Sequence, residues 1–119
     1  MGKRARARGR VDKLAAPEVE YAAPTGDVLV LRGAMTPKTR QAYTAVLAGS
    51  PLSQEDAWQR GVEFLFERLA VRWVIADVAT AGDKALLMRF RVATQDERRF
   101  VRDTLRAHLA AHFPELQAP

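Results

Sequence analysis

The spacing of apolar residues changes several times along this chain, and each change marks an element. Two short β-prone runs, Val19 to Tyr21 and Val28 to Leu31, flank the loop AAPTGD with its Pro and Gly, which predicts a β-hairpin ended by Gly33. MTPKTRQAYTAVLAGS then carries helix punctuation. Thr36 suits the cap, Pro37 the first helical position and Gly49 the stop, while Tyr43, Val46 and Leu47 make one stripe. A second helix begins after Ser53, with Glu55 and Asp56 in the first turn where the helix dipole favours acidic groups. Its stripe is Trp58, Val62, Leu65 and Leu69, widened by Phe66, and Phe64 falls away from it toward a second layer or a partner.

AVRWVIADV alternates Val71, Trp73 and Ile75 against Arg72, Val74 and Ala76, a strand that can join the hairpin in a small sheet. TAGDKALLMRFRVA fits both periods. Leu86, Met88, Phe90 and Val92 alternate as a strand would, yet Leu86, Leu87 and Phe90 share a helical face and the composition favours helix. A helix is the expectation for residues 81–92, with Thr80 and Asp83 resembling a capping box. The last segment begins with Thr94 and Glu97 in capping-box spacing, lines Val101, Leu105 and Leu109 along one face beside Phe100, and stops at Pro114. The expected architecture is α+β, mainly α: a small N-terminal β-hairpin or sheet packed with three to four amphipathic helices. Residues 18–119 form one globular domain behind a basic tail of residues 1–17.

Charge sharpens that division. Lys3, Arg4, Arg6, Arg8, Arg10 and Lys13 stand against Asp12, so residues 1–13 hold the whole net charge of +5, and the remaining chain balances 13 basic with 13 acidic side chains. Such a run repels itself and has nothing to bury, so disorder is expected. These six residues are the candidate contacts for an anion or nucleic acid, through weak non-specific attraction to phosphates. No aromatic residue is interleaved to stack on bases.

The chain has no cysteine, which removes disulfides, thiol nucleophiles and thiolate metal sites. Pro17, Glu18 and Glu20 interrupt any signal-peptide pattern after the basic start, and the most apolar window contains Arg72 and Asp77. A cytoplasmic protein with no membrane partner is the expectation. His108 and His112 stand at i,i+4, but Leu109 occupies the position where the zinc-protease motif needs Glu, and only Glu115 is near as a third ligand. Histidines at a helix C-terminus are the better reading, so neither metal nor cofactor is expected. Arg98, Arg102 and Arg106, with Arg99, Arg89 and Arg91 beside them, offer either an anion face or a solvated flank whose stems cover apolar surface. The balanced charge of the body favours the flank. Trp58 and Trp73 are read as core rather than as binding platforms. No nucleophile elbow, glycine-rich phosphate loop or paired carboxylate motif occurs, and no enzymatic activity is expected.

VLVLRGAMTPKTR, SQEDAWQRGVEFLFERLAVRWVIA and DERRFVRDTLRAHLAAHFPEL are similar to segments of small proteins encoded by phages and prophages of high-GC actinobacteria. In size and layout the chain resembles the tail assembly chaperone family over residues 19–116, a family without an invariant motif; the Arg-rich tail departs from it. The resemblance implies a non-enzymatic role in the host cytoplasm, keeping the tape-measure protein soluble while the tail tube grows around it. An apolar face that long helices can visit would serve that role, and Tyr43, Phe64 and Phe100 are the candidate partner-binding residues. A nucleic-acid-binding accessory protein and a structural virion connector are the alternative expectations.

Overall fold

The structure, a computed structural model, describes residues 17–49 and 54–119. It is an α+β fold in which helix predominates. Strands β1 (Glu18–Ala22), β2 (Val28–Arg32), β3 (Ala70–Ile75) and β4 (Val78–Ala81) form one antiparallel sheet in that order. Helices α1 (Pro37–Ala48) and α2 (Gln54–Leu69) connect β2 to β3, and α3 (Asp83–Arg91) and α4 (Gln95–His112) follow β4.

The predicted hairpin is present. Gly26 sits at φ +92°, a backbone conformation that a Cβ disfavours, and its N–H donates to the Ala23 carbonyl at 2.9 Å. The strand expected through Val71 to Ile75 turns back after Ile75, producing β4, which the sequence pattern did not announce. Ala76 and Asp77 take φ +50° and +67°, the paired positive values of the two-residue turn that suits a twisted hairpin. Asn-Gly is the usual signature there, so Ala-Asp conceals it. Asp27, from the first hairpin loop, braces this turn by accepting the Ala76 N–H at 3.0 Å.

Register assigns the two faces of the sheet. Tyr21, Leu29 and Trp73 pair in a row, and Leu29, Leu31 and Trp73 join one core with residues from all four helices, including Tyr43, Phe66, Leu86, Phe90, Leu105 and Leu109. The helices therefore share one face of the sheet. On the other face Val30 lies between Glu20 and Arg72 in register; their charged groups stand 3.6 Å apart and Val30 is only 2% exposed. Helices α1 and α2 meet closely at Gly61, where a Cβ would come within 2.8 Å of a Leu47 methyl and 3.3 Å of the Tyr43 ring.

Capping follows the sequence at two helices. The Thr36 hydroxyl accepts the Thr39 N–H with Pro37 at the first position, and Thr94 and Glu97 complete the predicted reciprocal box. The segment that fitted two periods is helical over Asp83–Arg91, but its cap position is Gly82, with no side-chain bond. Thr80 instead belongs to β4, opposite Trp73, so it is not the predicted capping residue. Ser53, expected to cap α2, and the tail up to residue 16 lie outside the described residues. Pro17, placed in that tail by the sequence reading, already belongs to the sheet end: its carbonyl accepts the Gly33 N–H at 2.6 Å.

Candidate functional site

The three residues expected to meet a partner do not converge. Tyr43 is fully buried, and its hydroxyl donates to the Gln117 carbonyl, tying α1 to the C-terminal segment. Burial pushes its phenol pKa well up. Tyr43 is thus a core residue and presents no surface to a partner. Phe64 is half-buried, 6.2 Å from the Tyr43 ring and under the Arg68 guanidinium at 5.2 Å, so the second layer it meets is α1. Phe100, also half-buried, lines a separate cavity with the β1–β2 loop and Trp73. The candidate contacts Lys3, Arg4, Arg6, Arg8, Arg10 and Lys13 lie outside the described residues.

The two histidines have different surroundings. His108 is fully buried and lies within 2.7 Å of both the Arg32 carbonyl (Nε2) and the Tyr21 hydroxyl (Nδ1). A carbonyl only accepts, so Nε2–H donates to it, and Nδ1 of the neutral ring accepts from Tyr21. Burial holds the imidazole pKa below its ordinary 6.5; the Arg32 bond opposes this and the charge of His112 adds to it. With both ring nitrogens engaged, His108 has no lone pair to offer a metal, and no group of three metal-ligating side chains occurs among the described residues. These two hydrogen bonds of His108 join α4 to the hairpin.

Most of the arginine ladder is committed to the fold. Arg89 pairs with Glu97 at 2.9 Å and lies over the Trp73 ring, Arg91 pairs with Glu63 at 2.8 Å, and Arg106 donates to the Pro119 carbonyl. Arg98 covers the Phe90 ring and donates to the Arg91 carbonyl at 2.7 Å. Arg102 differs: it has no hydrogen bond or ion pair among the described residues, and its Nε is buried.

Sequence reasoning missed the principal exposed feature. Among the described residues, the exposed large apolar side chains are Val78 at 67%, Met88 at 68% and Val92 at 75%. All three fall between residues 78 and 92, on the edge strand β4, on α3 and just past its end. Met88 and Val92 are i,i+4 neighbours, and the exposed Ala85 precedes them on the same flank. The signal was the alternation Leu86, Met88, Phe90, Val92. On a helix, positions two apart point about 200° from one another. Four alternating apolar residues therefore make two pairs on opposite faces. Leu86 and Phe90 enter the core, and Met88 and Val92 are left outside.

No helix among the described residues is long and apolar enough to cross a membrane. No protein-family model, curated protein or solved structure matches the chain.

Proposed function

We propose that this chain is a non-enzymatic partner-binding protein whose β4–α3 edge receives an apolar helical segment of another protein. The observation that carries the reading is that, among the described residues, the exposed large apolar side chains are Val78, Met88 and Val92, on β4, on α3 and just past its end. Covering such side chains removes apolar area from water, and a helix laid along α3 meets Met88 and Val92 at matching spacing. Methionine adapts its shape to differing partners, which suits a chaperone surface. Joined to the resemblance, the reading makes the partner a tape-measure protein held soluble during tail assembly. The same surface would serve a virion connector, which differs by remaining in the finished particle.

Co-expression with a tape-measure fragment from the same genome tests the proposal. The wild-type chain is expected to hold the fragment in the soluble fraction, and Met88→Asp with Val92→Asp to release it. Retention by the double variant, with loss on deleting residues 1–13, overturns the proposal in favour of the basic arm. The nucleic-acid reading rests on the charge of that arm; in the body, Arg89 and Arg91 are paired with Glu97 and Glu63, and Arg98 and Arg106 are held by backbone carbonyls.

A further inference from the structure

A second site lies away from the exposed edge, and its chemistry is different. Helices α2 and α4 flank a half-open cavity of about 250 Å³ over the side chain of Phe90. Trp58, expected in the core but half-buried, and Val62 supply its apolar lining from α2, and Arg98, Arg99 and Arg102 line it from α4. Positions 58 and 62 stand four apart, as do 98 and 102, so each helix turns one face to the cavity. The volume is below the 300–1,000 Å³ or so of pockets for cofactor-sized molecules, and suits a single ring-sized group.

The charges leave one positive excess. Glu63, which also lines the cavity, is neutralised by Arg91, and Arg99 faces Asp96 at 4.0 Å. Arg98 gives a hydrogen bond to a neutral carbonyl and keeps its charge, and Arg102 has no acidic partner among the described residues. Against these two charges the cavity sets Glu55. A monoanion balances the remainder. A phosphate dianion or a polyanion would overshoot it and meet the repulsion of Glu55.

Arg102 makes the site specific. Its Nε–H is buried with no acceptor among the described residues, an arrangement that carries a desolvation cost. A turn of the side chain that sets Nε–H and Nη–H on one carboxylate removes it, in the two-point geometry at which guanidinium excels. We infer that the α2–α4 cavity binds a carboxylate attached to an apolar, ring-sized body, with Arg102 holding the carboxylate and Trp58, Val62 and Phe90 the body. The inference does not depend on the partner reading of the β4–α3 edge.

The full chain, labelled with ¹⁵N, is titrated with N-acetyl-L-phenylalanine, with its amide and with inorganic phosphate. The Trp58 indole and Arg102 Nε–H resonances are followed, each assigned by substitution. Saturable shifts of both with the acid, on the order of millimolar affinity, are expected for so small a ligand. The amide and phosphate should bind at least about tenfold more weakly, as the loss of a charged hydrogen bond or of the apolar body requires. Arg102→Gln should weaken the acid by a similar factor, Arg102→Lys by less, and Trp58→Phe should retain the preference for acid over amide. Equal shifts with the amide, equal binding of phosphate or no saturable shift would overturn the inference. A peptide ending in a free Phe carboxylate completes the series. Its tighter binding assigns the site to a protein terminus, and tighter binding of the free acid assigns it to a small molecule.

Discussion

Replacing Tyr21 by Phe removes a single oxygen, and the structure states what that oxygen does. It donates to Nδ1 of His108 at 2.7 Å, while the opposite ring nitrogen is spent on the Arg32 carbonyl. The two rings meet edge to face at 5.5 Å, a contact Phe keeps. The variant therefore isolates the hydrogen bond and leaves a buried acceptor unsatisfied, at a cost of about 1–3 kcal/mol. For a body of about this size each kcal/mol moves the thermal midpoint by about 4–8 °C, so a fall of at least about 4 °C is expected. Urea unfolding followed by circular dichroism gives the free energy directly. A cost below about 0.5 kcal/mol would refute the bridge as a fixed part of the fold. The pH dependence is a second reading of the same contact. Because the folded imidazole takes up its proton less readily than the unfolded one, His108 contributes stability that is complete above about pH 6.5 and declines as pH falls toward its lower folded-state pKa. The slope is at most about 1.4 kcal/mol per pH unit for one proton. His108→Gln should flatten that step. An unchanged slope in this variant would assign the step to another group.

Trp73→Ala and Leu105→Ala remove core side chains at 1% and 0% exposure, and each should cost about 2–5 kcal/mol in chemical denaturation. Thr94→Ala should cost about 0.5–2 kcal/mol through loss of the α4 cap. The Glu97 carboxyl is held below its ordinary 4.5 first by the Thr94 N–H and also by Arg89, so its contribution persists above that value and is lost as pH falls through the lower folded-state pKa; Glu97→Gln should remove this acid-side step from a stability–pH curve. Asp77→Gly relieves a positive-φ residue in the β3–β4 turn and should raise the melting midpoint, by up to about 1 kcal/mol in free energy.

Local chemistry made much of this fold legible. The reciprocal box at Thr94 and Glu97, the Thr36–Pro37 start, the Pro–Gly loop of the first hairpin and the stripes Val62–Leu65–Leu69 and Val101–Leu105–Leu109 each act within a few residues. What stayed hidden depends on long-range placement. The second hairpin turns on Ala76 and Asp77, and Asp27, 49 residues earlier, braces it. Tyr43 fits both the apolar stripe of α1 and a partner-binding face until the Gln117 carbonyl, 74 residues away, meets its hydroxyl. His108 reads as a histidine near a helix C-terminus until β1 and β2 bring Tyr21 and the Arg32 carbonyl to its two nitrogens. The α2–α4 cavity likewise exists only where one face of each helix meets Phe90. The exposed edge is a different case: its pattern was present in the alternation at 86–92, but that alternation satisfied both a strand and a helix with two apolar faces.

The proposed partner binding through the β4–α3 edge is tested by calorimetric titration of the full chain with a tape-measure fragment. A negative heat-capacity change, the mark of apolar burial, is expected together with little dependence on salt. Met88→Asp with Val92→Asp should weaken binding at least about tenfold while leaving the thermal midpoint nearly unchanged, since both side chains are exposed. Binding that the double variant retains, or that vanishes with rising salt and with deletion of residues 1–13, would contradict it.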